Sequence, residues 1–98
     1  MFRHVVLLKW KPGTTPTDVA RFTAGLAALP PQIPQIRAYS FGADLGINQG
    51  TADYALVADF ASVEDYKTYS KHPAHLAFLR EVSAPMLDSY QSVQFELK

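Results

Sequence analysis

The sequence has no cysteine, no excess of charge of either sign and no long apolar run. Without cysteine, the chain cannot form disulfides, use a thiolate nucleophile or build a Cys-based zinc site. Nine basic residues balance nine acidic ones, which argues against nucleic-acid binding and polybasic membrane binding, since both need a positive field. The longest apolar run near the N-terminus, residues 5–8, is too short for a membrane span or a signal peptide. We therefore expect a cytoplasmic protein with neither a nucleic-acid nor a membrane partner.

What the sequence does contain is enough apolar material for one small domain. The chain has 98 residues, of which 48% are hydrophobic. A chain of this length buries about two-thirds of the surface that its unfolded form exposes. No linker, repeat or shift in composition divides it, so we expect a single domain over residues 1–98.

Runs of β-branched and aromatic residues predict four strands, and capping signals predict where the helices begin. Thr15, followed by Pro16, opens the first helix, which ends before Pro30. A second helical region begins at Ser62 and restarts at His72, with an apolar side comprising Leu76, Leu79 and Val82 and with Phe78 nearby. The strands are expected over residues 2–10, 36–43, 54–60 and 90–97.

The order of these elements, β-α-β-β-α-β, predicts an α+β fold of the ferredoxin-like type. In such a fold a four-stranded antiparallel sheet carries its helices on one face. The other face would still hold apolar side chains, from Val5, Leu7, Val57, Val93 and Phe95. Each such side chain that stays exposed to water loses about 1.5–3 kcal/mol of the free energy that its burial would contribute. An exposed patch of this kind usually marks an interface.

We therefore expect a two-fold homodimer, packed sheet on sheet. In the alternative, the protein is a monomer and charged side chains solvate this face of the sheet. The charged residues available for that are Lys9, Lys11, Arg37 and Asp59.

Four runs of the sequence are similar to those of the Dabb family, the stress-responsive dimeric α+β barrel domain. They are residues 4–11 (HVVLLKWK), 41–46 (FGADLG), 52–60 (ADYALVADF) and 69–75 (YSKHPAH). The last run is the strongest single motif, and the four follow one another in the family's order over nearly the whole chain. The resemblance implies a homodimer whose two sheets form a barrel.

Some members of that family are plant polyketide cyclases, which close a linear polyketide by an intramolecular aldol reaction without a metal or an organic cofactor. Their key tyrosine and histidine match Tyr69 and His75, and a further pocket histidine on the first strand matches His4. Two positions differ, because Tyr54 stands where the cyclases have a histidine and Gln94 where they have an aliphatic residue. The resemblance thus implies Tyr69 and His75 as a catalytic pair and no cofactor.

These residue types suit a pocket for a small hydrophobic or aromatic ligand. A histidine can act as a base near neutral pH, and a tyrosine hydroxyl can donate a hydrogen bond to an enolate. In the alternative, His75 and His4 are core histidines with satisfied hydrogen bonds, and Tyr54 is a packing residue with a polar tip. Beside the catalytic pair, we expect the ligand to contact His4, Val6, Leu8, Tyr54, Leu56 and Phe78.

No metal site is expected from the sequence. His72 and His75 have no third ligand at a helical or strand spacing. His72, which precedes Pro73, is better explained as a helix cap or a solvent-facing residue.

Three functions remain open at this point. The first is a cofactor-independent cyclase or lyase that acts on a carbonyl compound, with His75 as base and Tyr69 as donor. The second is a non-catalytic ligand-binding or stress-associated protein, and the third is a cofactor-free monooxygenase with the same dimeric barrel. An open cavity that both residues reach favours catalysis, whereas a cavity filled by apolar side chains favours the second function; the filling residues would be Leu26, Leu56, Phe78 and Leu79.

Overall fold

The computed structural model describes all 98 residues, with its elements in the predicted order. The strands are β1 (Phe2–Trp10), β2 (Ala38–Ala43), β3 (Tyr54–Phe60) and β4 (Leu87–Glu96). The helices are α1 (Pro16–Ala27), α2 (Val63–Lys71) and α3 (Pro73–Phe78), and α3 runs on into a π-helical turn at Leu79–Ser83. The predicted α+β, ferredoxin-like fold is confirmed. None of the helices has the length and apolar character that a membrane crossing requires.

The four strands form one antiparallel sheet in the order β2-β3-β1-β4. On the central strand β1, His4 lies opposite Ala58 of β3 on one side and Gln94 of β4 on the other. Side chains of a strand alternate between the two faces. The even-numbered residues of β1 therefore point toward the helices, together with Gln94.

Side-chain caps fix the starts of α1 and α2, as the sequence predicts. The Thr15 hydroxyl accepts from the Asp18 amide at 3.1 Å, and the Asp18 carboxylate accepts from the Thr15 amide at 3.0 Å. This reciprocal pair satisfies two backbone N–H groups at the start of α1. Ser62 caps α2 through a single bond, its hydroxyl accepting from the amide of Asp65.

The predicted apolar side of the last helical region is wrong in one respect. Leu76 is 46% and Leu79 39% exposed, and the region is not one regular helix. α3 ends at Phe78, and the next turn bonds the amide of Ala84 to the carbonyl of Leu79, a wider turn than that of an α-helix. Phe78 is the side chain that is buried here, and its ring lies directly over Gly25 of α1.

Two strands begin at other residues than predicted. β2 begins at Ala38 instead of residue 36, because the amide of Ile36 is used in a turn to the carbonyl of Ile33. β4 begins at Leu87 instead of residue 90, where it pairs with Trp10 across an irregularity in the register.

Helices cover only one face of the sheet, and the main core lies beneath them. On the opposite face, which we call the outer face, Val5 stands in register between Val57 and Val93. Here Leu7 is 46%, Val93 58% and Phe95 45% exposed. The prediction that both faces are apolar is thus confirmed. The core is built from Phe2, Leu8, Phe22, Leu26, Leu29, Ile33, Tyr54, Leu56, Ala58, Phe60, Tyr69, Phe78 and Met86.

One ion pair crosses the outer face at the end of β1. Arg3 donates two hydrogen bonds to the carboxylate of Asp59, at 2.7 and 2.8 Å. The two residues are direct cross-strand partners, and Asp59 is buried. Because Arg3 and Asp59 bind each other, neither charged group extends over the apolar centre of the outer face.

Candidate functional site

A cavity of about 330 Å³ lies between the helix-facing side of the sheet and the helices. This is within the usual range for a site that holds a small organic molecule. Its β4 wall, which includes Tyr90 and Ser92, is exposed. None of the lining side chains is a lysine, arginine, aspartate or glutamate. They are His4, Val6, Leu8, Phe22, Leu26, Leu56, Tyr66, Tyr69, Ser70, His75, Phe78, Leu79, Ser83, Leu87, Tyr90 and Ser92.

His75 reaches the cavity from α3, which begins immediately after α2 ends. Its Nδ1 lies 3.1 Å from the carbonyl oxygen of Ser70. A carbonyl can only accept, so in the neutral imidazole the proton is on Nδ1 and Nε2 keeps its lone pair. Nε2 makes no hydrogen bond within the protein, and no buried side-chain nitrogen lacks a partner, so this atom is accessible on a residue that lines the cavity. Burial lowers the pKa of His75 below the ordinary histidine value, which keeps the imidazole neutral.

Tyr69 lies at the end of α2 and packs against His75. The two ring centroids are 4.3 Å apart, so the tyrosine holds the imidazole plane in position. The Tyr69 hydroxyl is 2.7 Å from the hydroxyl of Tyr39 on β2. Burial raises the pKa of Tyr69 to about 12, so the hydroxyl stays protonated at neutral pH. Tyr39 is therefore a hydrogen-bond partner of Tyr69, one member of the predicted catalytic pair.

His4 enters the same cavity from the centre of β1. Its Nδ1 lies 2.9 Å from Nε2 of Gln94. Its ring packs against that of Tyr66, at a centroid distance of 4.9 Å. Burial, and secondarily the proximity of His75, lowers the pKa of His4. Both histidines of the cavity are thus neutral at pH 7.

The structure brings together most of the residues that the sequence singles out. The cavity is lined by His4, Val6, Leu8, Leu56, Tyr69, His75 and Phe78.

Tyr54 does not join them. It is 1% exposed, its ring packs between Trp10 and Phe22, and its hydroxyl is 2.7 Å from that of Thr23 on α1. Its place at the start of β3, beside α1, directs it into the core and away from the cavity, which makes it the packing residue of the alternative interpretation.

Five polar residues of the cavity are absent from the set that the sequence predicts, and Tyr90 on β4 is one of them. Ser70 supplies the carbonyl that orients His75. Ser83 is buried at the end of the π-helical turn, and no sequence pattern signals that turn. Tyr66 and Ser92 also line the cavity. The alternation of β4, which places Ser92 on the face of Gln94, is a signal that could have found Ser92.

The third histidine has a structural role. Nδ1 of His72 accepts from the amide of Ala74 at 3.1 Å, so His72 caps α3, as the sequence suggests. No three His, Cys, Asp or Glu side chains lie close enough together to hold a metal ion. In the loop between β2 and β3, the Asp44 carboxylate accepts from the Gly46 amide and the Thr51 hydroxyl, which is turn chemistry.

The fold and sequence resemble those of several known proteins. The chain is 31% identical over 78 residues to the stress-response A/B barrel domain-containing protein HS1 of Arabidopsis thaliana, a match that covers 78% of this chain and 72% of that protein. A dimeric ferredoxin-like protein of unknown function from Thermobifida fusca is 41% identical, with a TM-score of 0.90 over 98% of this chain and 90% of that one.

A hydroxynitrile lyase from Passiflora edulis has the same fold. It is 21% identical, with a TM-score of 0.85 over 99% of this chain and 93% of the lyase. The sequence model of the stress responsive A/B barrel domain, Dabb, matches residues 2–97. With nearly its whole length matched, the chain belongs to the Dabb family.

Proposed function

We propose that the protein is a homodimer in which each protomer binds a small uncharged carbonyl compound and catalyses proton transfer on it, with His75 as the base. The observation that carries this proposal is the orientation of His75. Its Nδ1 is engaged by Ser70, its Nε2 is unpaired and accessible, and the residue lines a cavity that contains no charged side chain. A neutral imidazole held in one tautomer is what a general base near pH 7 requires.

The absence of fixed charge from the lining supports an uncharged substrate. A carboxylate or phosphate transferred from water into this cavity would lose its hydration without meeting a cation. An aromatic or aliphatic carbonyl compound would instead gain contacts with apolar walls such as Leu8, Leu56 and Phe78.

The chemistry proposed is that of a cyclase or a lyase. Nε2 of His75 takes a proton from the carbon next to a carbonyl, and the electrons of that C–H bond move to the carbonyl oxygen to give an enolate. The enolate carbon then attacks a second carbonyl of the same molecule, forming a C–C bond, and the resulting alkoxide takes a proton back. In a lyase the same base would remove the proton of a hydroxyl, a C=O bond would form at that oxygen, and the electron pair of the breaking C–C bond would leave with the departing carbanion, which then takes up the proton.

The homodimer is supported by the outer face and by the relatives. The solved structures from Thermobifida fusca and Bacteroides fragilis are described as dimeric, and they are 41% and 29% identical to this chain. In this chain the apolar centre of the outer face has no helix over it. A second copy of the sheet would cover it with side chains of the same character.

The proton-transfer step can be measured with 1-phenylbutane-1,3-dione, a neutral aryl diketone, by following exchange of its central protons in D₂O by NMR. We expect the protein to accelerate this exchange and the variant His75→Asn to lose about 10²-fold or more of the acceleration. His72→Asn is the matched control, because asparagine can replace the cap that His72 provides. Equal acceleration by wild type and His75→Asn would exclude His75 as the base.

A non-catalytic binding function is the second candidate. It is favoured if Tyr69 donates its proton to the hydroxyl of Tyr39, 2.7 Å away, because a catalytic donor would keep that proton for the ligand. A screen of neutral aldehydes and ketones for thermal stabilisation separates the two functions, because a ligand that binds only the folded form raises its apparent stability. Stabilisation without any His75-dependent exchange identifies a binding protein.

A further inference from the structure

The two histidines of the cavity present opposite hydrogen-bonding groups. The Ser70 carbonyl accepts from His75 and leaves its Nε2 as an acceptor. For His4 the direction is reversed, because an amide nitrogen can only donate. Nε2 of Gln94 donates to Nδ1 of His4, so the proton of neutral His4 is on Nε2.

This N–H group of His4 is free for a ligand. It makes no hydrogen bond within the protein, and since no buried side-chain nitrogen lacks a partner, it is accessible on a residue that lines the cavity. The other predicted donor, Tyr69, shares a hydrogen bond with Tyr39 in which either hydroxyl can be the donor. Of the two residues, only His4 is fixed as a donor by its neighbour.

We infer that Gln94 is a positioning residue, which holds His4 as the N–H donor that binds the carbonyl oxygen of the substrate. The inference rests on the proposed function in that the ligand is a carbonyl compound. As His75 removes a proton, negative charge develops on that oxygen, and a donor already aimed at it stabilises the charge. A substrate of this cavity must thus offer an acceptor to His4 and an acidic proton to His75.

The tautomer can be read directly by two-bond ¹H–¹⁵N NMR of the imidazoles at pH 9, where a histidine is neutral. The chain has three histidines, so single substitutions assign the signals. We expect a protonated Nε2 and an unprotonated Nδ1 for His4. In Gln94→Glu the carboxylate can only accept, so we expect the proton to move to Nδ1. Gln32→Glu, which adds the same charge away from the cavity, should leave His4 as in the wild type.

Acetophenone, a neutral ligand with one carbonyl oxygen, tests the donor role. We expect it to shift the Nε2–H signal of His4 in the wild type and to bind about three- to tenfold more weakly to Gln94→Glu, the cost of one hydrogen bond. A wild-type His4 protonated on Nδ1 would overturn the inference. So would equal binding by Gln94→Glu and Gln32→Glu, including no binding by either.

These outcomes are distinct from failure of the proposed function. If acetophenone binds through His4 while the diketone exchange shows no dependence on His75, the catalytic proposal fails and the assignment of Gln94 stands. If exchange depends on His75 but His4 carries its proton on Nδ1, the catalytic proposal stands and the assignment of Gln94 fails.

Discussion

Single neighbours decide what each cavity histidine can do. Nε2 of His75 becomes an acceptor because a backbone carbonyl accepts the hydrogen bond of Nδ1–H, and Nε2 of His4 becomes a donor because an amide nitrogen donates to Nδ1. Tyr69 then restricts the His75 ring by stacking. Three contacts of ordinary strength thus give two identical side chains opposite roles in one small cavity.

Burial of these two histidines predicts how stability depends on pH. Both folded pKa values lie below the ordinary 6.5, so just below pH 6.5 the unfolded chain binds more protons than the folded one. The free energy of unfolding should therefore be unaffected by these groups above about pH 6.5 and fall as the pH drops below it. Denaturant unfolding at pH 7.5, 6.5 and 5.5 measures this, and His75→Asn should reduce the slope. An unchanged slope in the variant would contradict the assignment.

The two acidic groups with lowered pKa values affect the free energy of unfolding in a different pH range. The pKa of Asp18 is lowered by its hydrogen bond from the Thr15 backbone, and that of Asp59 by its hydrogen bond with Arg3. Both carboxylates contribute stability that is present above their ordinary pKa of 3.8 and is lost only as the pH falls through their lower folded values. The loss between pH 6.5 and 5.5 therefore reports on the histidines.

At the scale of elements, the close approach of α1 and α3 sets the shape of the cavity. Gly25 of α1 has no side chain, and the ring of Phe78 occupies that space. A Cβ added at Gly25 would lie 2.5 Å from Cε1 of Phe78. Since Phe78 also lines the cavity, we expect a displacement of its ring to change the space available to a ligand.

Gly25→Ala should therefore impair ligand binding more than folding. Alanine gains up to about 1 kcal/mol in helix propensity, which offsets part of an overpacking cost of about 1–3 kcal/mol. We expect a net destabilisation of up to about 2 kcal/mol and at least a tenfold loss of acetophenone affinity, measured by denaturant unfolding and by titration. Gly42→Ala on β2 is the control, since nothing lies within 4 Å of its added Cβ. Unimpaired binding by Gly25→Ala would show that the ring moves elsewhere.

The elements predicted correctly are those whose signals are local. Residues 2–10 and 54–60 form strands as predicted, because β-branched and aromatic residues dominate both runs. Thr15 and Ser62 begin helices because their caps involve residues only three positions away. The π-helical turn after Phe78 escaped prediction, since no local sequence pattern signals it.

The same distinction holds for the site. His4, Tyr69 and His75 were found through a sequence motif and strand alternation. The direction of Tyr54 was not predictable, because both the core and the cavity lie on the same face of β3 and only the position of α1 decides between them. The contact between Gln94 and His4 joins residues 90 positions apart, and only the register of β1 and β4 brings them together.

At the scale of the whole molecule, the outer face is the main surface that the protomer leaves unprotected. Leu7, Val93 and Phe95 are all exposed there, and β4 is exposed along most of its length. Covering side chains of this size stabilises an assembly by about 1.5–3 kcal/mol each. Because a two-fold axis uses every residue twice, a single substitution changes both halves of the contact.

Val93→Lys should therefore separate the dimer while leaving the protomer folded. It places two charges in an apolar contact, where each is costly without a partner. We expect sedimentation at micromolar concentration to give a dimer mass for the wild type and a monomer mass for the variant. Leu76→Lys, at a comparably exposed leucine on the helical side, should remain a dimer. A wild-type monomer, or dissociation by both variants alike, would contradict the proposed association.

The sheet is one layer thick, so consecutive residues of β1 point to opposite faces and contact different surroundings. His4, Val6 and Leu8 face the cavity, whereas Val5 and Leu7 belong to the outer face. Substitutions at the even-numbered residues of β1 can therefore change which ligand the cavity accepts, while the odd-numbered residues keep the outer face for the proposed dimer contact. The ligand-facing and the partner-facing residues of β1 therefore alternate along one short strand, and each set can change without the other.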